Sequence, residues 1–286
     1  MESQSQKLSI WQGILAAAHP AKGTDTLIMI LLAIRMGYGG LAALALPLPP
    51  IFLALLNFLY PLATYLVTAQ LIWQERHRLS EYRIGKLALI LFIAGVPYLV
   101  LVGLFKIIPL SPFPNLFLVP ISIWLAMKLI KDKQFKWINQ AGWIRWLFIG
   151  TGAGIVFGSL AGVLISLQPG HMLNTSSLLS IILQPTIQIS NAAIAEEPLF
   201  RGFLWIYLYQ RGWKNGWIWL FQAFLFCLGH IYYIPAHNYF SLGISFIGGL
   251  VFGWVAWKAR DVAPSMFAHG FFNTFGQLIG DLVAGR

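Results

Sequence analysis

Long apolar runs alternate with short polar connections along the whole chain. The runs 26–46, 51–73, 87–105, 115–130, 146–167, 177–209, 216–232, 239–257 and 263–281 lie near or above the ~20 residues that carry an α-helix across ~30 Å of hydrocarbon. They predict an all-α, polytopic membrane protein of about eight transmembrane helices, or nine if no run is re-entrant or split. The first run follows a long polar segment and offers only a weak small-residue pattern at Ala43 and Ala45, which reads as an uncleaved first helix. No linker, repeat or low-complexity stretch interrupts the series. The reading is one integrated domain, with a tail over 1–25, N-terminal transmembrane helices over 26–170 and a C-terminal core over 171–286.

Composition agrees with this pattern. The 286 residues are 58% hydrophobic and 10% charged, far from the balance of a soluble domain. A net charge of +10 would suit nucleic acid, but the basic clusters fall in alternate connections. They are Lys7 and Lys22, then Arg76, Arg78, Arg83 and Lys86, then Lys131, Lys133, Lys136 and Arg145, then Arg211 and Lys214, then Lys258 and Arg260. The connections 47–50, 110–115, 167–175 and 233–238 carry none. Under the positive-inside rule the N-terminus and every basic loop face the cytoplasm, so the lipid bilayer is the partner and nucleic acid is not. The short, plain chain suggests a prokaryotic plasma membrane. Trp143, Trp146, Trp213, Trp217 and Trp257 lie close to the basic ends, as an interfacial belt requires. Gly150, Gly154, Gly158 and Gly162 form one stripe at four-residue spacing for close helix packing, and Gly249 and Gly253 suit the same purpose. Cys227 has no partner for an intrachain disulfide and reads as a small core residue.

Seven of the nine acids fall in loops, tails or span ends, leaving Glu196 and Glu197 as the pair at membrane depth. At ~1.5 Å per residue, the pair lies roughly 20 Å from Arg211, His230 roughly 24 Å from Lys214, and His269 and Asn273 roughly 12 and 18 Å from Asp261. Three spans thus bring polar side chains to overlapping depths on the cytoplasmic side. Glu197 and Arg201 stand four residues apart in the favoured order for a helical ion pair. Glu196 points about 100° away and is left free. Pro198 cannot bond the carbonyl of Ile194, so a break or kink is expected beside the carboxylates. His269 and Asn273 share one helix face, as do Phe226 and His230. Arg35, inside the first run, has no acid near it in sequence and is expected to snorkel or to meet a lipid head group. His19, His77, His171 and His237 lie in loops or the tail and read as bystanders.

A glutamate in such a pocket can take a proton from water, a histidine can hold that water, and a second histidine with an asparagine amide can donate to an oxyanion. No Ser, Thr or Lys is placed as a nucleophile, so water-mediated hydrolysis of an acyl bond is the natural chemistry. The HExxH spacing of zinc proteases is absent, and neither a metal nor another cofactor is expected. A non-catalytic scaffold or immunity protein, and a proton-coupled transporter using the same relay, are the alternatives.

The motifs "EEPLFR" (Glu196, Glu197, Arg201), "FCLGH" (Phe226, His230) and "HGFFN" (His269, Asn273), in this order on separate apolar helices, resemble those of the CPBP family. That family comprises the CAAX proteases and bacteriocin-processing enzymes. The resemblance covers about residues 177–281. It implies an eight-helix-type intramembrane glutamic protease acting on a membrane-associated peptide or protein. By the same resemblance Glu196 is the general base, His230 its partner in binding water, and His269 with Asn273 the oxyanion site. Glu197 and Arg201 brace the helix, and Phe226 shapes the cavity wall.

Overall fold

The computed structural model describes residues 21–44, 46–105, 113–133, 135, 142–167, 178–235 and 239–284. His19, His171 and His237 lie outside them. Every regular element among the described residues is helical. In chain order the helices are α1 (Thr24–Ala43), α2 (Pro50–Gln74), α3 (Lys86–Leu104), α4 (Val119–Lys131), α5 (Trp143–Ser166), α6 (Leu178–Ala195), α7 (Leu204–Gln210), α8 (Asn215–Leu228), α9 (Tyr239–Ala259) and α10 (Ala263–Ala284). Among the described residues α1, α2, α3, α5 and α9 are long and apolar enough to cross a membrane.

Two predicted runs give shorter helices than expected. Run 115–130 divides into a single turn, Phe113–Leu116, and the 13-residue α4, because Pro120 is suited to the first turn of a new helix. Run 216–232 gives the 14-residue α8, which stops at Leu228. His230 then leaves helical geometry at φ −110°, ψ 13° and starts a tight turn over Ile231–Tyr233. At ~1.5 Å per residue both helices fall short of a ~30 Å crossing.

Close backbone-to-backbone packing follows the glycine stripe of α5. A Cβ on Gly150, Gly154, Gly158 or Gly162 would stand 2.3, 2.4, 2.4 or 2.5 Å from the carbonyl oxygen of Pro264, Ala268, Phe272 or Gly276. Two four-residue rows, one on each helix, therefore meet backbone to backbone, an approach only glycine permits. This contact seats α10, the helix that carries His269 and Asn273. Gly249 of α9 faces the backbone of Ala223 on α8 in the same way, and a Cβ on Gly253 would overlap the Gln222 amide. On the outer faces Phe52, Leu59, Phe148, Leu160, Leu164 and Trp217 are exposed, as lipid contact requires.

Buried acids fasten the basic end of the bundle. Glu75, beyond α2, accepts from the Ala21 N–H at 2.9 Å and from the Thr24 hydroxyl, tying down the start of α1. Asp261 accepts from the Ala263 N–H at 2.8 Å at the start of α10. Its carboxylate fills the space that a side chain at Gly85 would take, since a Cβ there would stand 2.2 Å from Asp261 Oδ2. Burial pushes the Asp261 carboxyl up to about 6, against the opposing effect of the Ala263, Gly85 and Val262 N–H groups.

Candidate active site

The carboxylates lie where the long run 177–209 changes its winding. Pro198 brings no N–H to the helix ladder, and Pro198–Phe203 forms one wide π-helical turn between α6 and α7. The expected break is thus a local widening: the Phe200 N–H still donates to the Glu196 carbonyl at 3.0 Å, and the helix continues. Every residue of the turn is buried.

Glu197 and Arg201 form the predicted pair, at 3.3 Å, with both side chains fully buried. Glu197 does more than face Arg201. Its Oε2 accepts from the Ser265 hydroxyl, and its Oε1 lies 2.9 Å from His269 Nδ1. Because a carboxylate only accepts, Nδ1 donates to it, and Nε2 faces Glu196 Oε2 at 3.7 Å. The His269 ring stacks on Phe252 at 4.6 Å between centroids, which fixes its plane. Arg201 lies 4.5 Å from the Phe226 ring centroid, so Phe226 packs against the buried cation as well as against both histidines.

His230 is held by its own segment. Its Nδ1 is 2.8 Å from the Phe226 carbonyl, which can only accept, so that nitrogen donates and Nε2 points toward Glu196 Oε1, 3.9 Å away. Asn273 Nδ2 donates to Gln188 Oε1 at 3.2 Å, and its second amide hydrogen has no partner among the described residues. Glu196, His230, His269 and Asn273 all line one cavity of about 480 Å³, with Gln188 and Phe226 also in its wall. The sequence-predicted set therefore converges.

One expectation is overturned. Glu196 is not left without a partner: Arg35 of α1 forms an ion pair with its Oε1. The two side chains are 7% and 9% exposed, so Arg35 neither snorkels nor reaches a head group. Its Nη1 donates to the Tyr60 hydroxyl of α2 at 2.5 Å, and its Nη2 lies 3.3 Å from His230 Nε2. Glu196 Oε2 is buried and has no hydrogen-bond partner among the described residues. Sequence reasoning also missed Tyr60, Ser265 and Gln188. Ser265 was open to it, standing one turn before His269 on the same face of α10.

These features define a helical membrane protein with a Glu/His/Asn cavity among its helices. Residues 175–275 match the model of a protease family described as "Type II CAAX prenyl endopeptidase Rce1-like", a stretch that contains all three motifs. The similarity to the CPBP family seen in those motifs thus extends over the segment holding them, while α1 to α5 lie outside it. No curated protein and no solved structure matches the chain.

Proposed function

We propose that the protein is an intramembrane endopeptidase that hydrolyses a peptide bond of a membrane-associated substrate with water activated by Glu196. The observation that carries this reading is Glu196 Oε2, a buried carboxylate oxygen without a hydrogen-bond partner among the described residues, on a side chain that lines one cavity with His230, His269 and Asn273. Oε2 takes the proton of a water held with His230, and the hydroxide attacks the scissile carbonyl. The second Asn273 amide hydrogen and an N–H at His269 Nε2 stabilise the oxyanion, and Glu196 returns the proton to the leaving amine. Glu197, fixed by Arg201 and Ser265, holds His269 in place. The step requires neither a metal nor another cofactor. The alternation of basic loops supports a cytoplasmic N-terminus and a cavity entered from the cytoplasmic side; about eight spans in a prokaryotic plasma membrane belong to the same reading.

The test separates the roles. Purified wild type and variants in nanodiscs are incubated with prenylated and unmodified membrane peptides. Glu196→Ala and His230→Ala lose all measurable cleavage, and Asn273→Ala loses roughly 10²–10³ in kcat. Wild-type cleavage by folded Glu196→Ala or His230→Ala would rule out the assigned roles.

A further inference from the structure

Arg35 belongs to a helix that none of the three motifs and no part of the family match reaches. It is 6% exposed, and one guanidinium spans three groups. Nη1 donates to the Tyr60 hydroxyl, while Nη2 stands between Glu196 Oε1 and His230 Nε2. Glu196 and His230 line the cavity, whereas Arg35 and Tyr60 are not among the residues that line it. The guanidinium therefore engages the carboxylate and the imidazole without itself lining the cavity, occupying Oε1 while Oε2 has no hydrogen-bond partner among the described residues.

The backbone is shaped for this approach. A Cβ on Gly39 would stand 2.9 Å from the Gly229 carbonyl oxygen, and a Cβ on Gly229 would stand 2.7 Å from Arg35 Nε. Two glycines thus let α1 lie directly on the turn that presents His230. Tyr60 is in turn stacked on Tyr38 of α1 at 4.1 Å between centroids, which confines its hydroxyl. At the far end of α1 Glu75 fixes the helix start through Ala21 and Thr24. Arg35 is consequently anchored in rotation and depth before it meets the carboxylate.

We propose that Arg35, oriented by Tyr60, is a positioning residue for the general base: it clamps Glu196 Oε1 and His230 together so that Oε2 is the oxygen offered to water. The inference rests on the reading of Glu196 as base, but it assigns a part in catalysis to the N-terminal helices. A guanidinium suits the task because its planar fork reaches the Tyr60 oxygen and the Glu196–His230 gap at once, which a lysine ammonium cannot do. Without the clamp the carboxylate is free to turn by ~1 Å, a displacement that costs roughly 10²-fold in rate.

The experiment has two arms, both on the full-length protein in nanodiscs. The first needs no substrate and measures thermal unfolding of Arg35→Met, Glu196→Gln and the double variant. Arg35→Met strands a buried carboxylate and lowers Tm, and adding Glu196→Gln recovers most of that loss. Additive effects would overturn the ion pair. The second arm follows cleavage of a prenylated membrane peptide by Tyr60→Phe, Arg35→Lys, Arg35→Met and Tyr60→Phe/Arg35→Met. Tyr60→Phe lowers kcat several-fold with KM unchanged, Arg35→Lys lies between wild type and Arg35→Met, and Tyr60→Phe has no further effect once Arg35 is Met. Independent effects of the two residues, a change confined to KM, or full kcat in Arg35→Met would overturn the positioning role. If Glu196→Gln itself cleaves at the wild-type rate, the base assignment has failed instead. If Arg35→Met does not fold, Tyr60→Phe alone decides, since it removes one oxygen and no charge.

Discussion

Replacing Gly158 by Ala tests whether the α5–α10 contact sets the geometry of the site. The new Cβ would lie 2.4 Å from the Phe272 carbonyl oxygen and 2.8 Å from Phe272 Cα, against ordinary contact of about 3.4 Å. Both obstacles are backbone, so no side chain can turn away, and the helices must part by about 1 Å. Overpacking of this kind costs ~1–3 kcal/mol, which outweighs the ~1 kcal/mol that Gly→Ala gains in helix propensity. Phe272 precedes Asn273 directly, so the shift passes into the site, and a displacement of ~1 Å lowers cleavage roughly 10²-fold. Gly152→Ala is the control, because a Cβ there has nothing within 4 Å. Thermal unfolding and peptide cleavage are measured on both variants beside wild type. Gly158→Ala loses Tm and rate, while Gly152→Ala keeps both. Equal Tm and equal rate for Gly158→Ala and wild type would refute the reasoning.

Other expectations follow from the buried charges. Glu197→Gln leaves the Arg201 cation buried without its counter-charge and costs ~3–5 kcal/mol, read as a fall in Tm; an unchanged Tm would show that Ser265, His269 and Arg201 need no carboxylate there. The Asp261 carboxyl, raised to about 6, gives stability a pH dependence. A raised carboxyl favours the protonated native state, so this contribution is complete below about pH 4 and is lost as pH rises through about 6, a change of up to ~3 kcal/mol. Asp261→Asn removes that step from the pH–Tm curve, and a curve identical to wild type would remove Asp261 as its source.

The sequence made much of this arrangement legible, and the physical reasons differ from residue to residue. Glu197 and Arg201 were readable because helical spacing is local and four residues bring two side chains onto one face. His269 with Asn273 was readable for the same reason, and their convergence with Glu196 followed from depth along separate helices. Arg35 was misread because its partner stands on another helix far along the chain, where no spacing rule applies. A charge balance would have found it: with Lys128 and Asp281 set aside at run ends, two acids and two arginines lie deep inside apolar runs, and the helical pair removes Glu197 and Arg201. Glu196 and Arg35 then remain for each other. The bend at Pro198 was legible, but its form was not, because whether a missing hydrogen bond breaks or widens a helix depends on the packing around it. The shortness of α4 and α8 was hidden by hydropathy, which does not distinguish an apolar helix from an apolar turn. Of the α5–α10 contact only the glycines of α5 were legible, since their partners on α10 are carbonyl groups, which any residue type supplies.

The central claim is that Glu196 drives hydrolysis of a peptide bond within the membrane. The most direct measurement is digestion of a library of membrane-derived peptides, prenylated and unmodified, by the purified protein in nanodiscs. Products are identified by mass spectrometry, with wild type run beside Glu196→Gln. Cleaved peptides are expected with wild type and none with the variant, with thermal unfolding showing that both proteins are folded. The same products at the same rate from both proteins, or none from either, would contradict the claim.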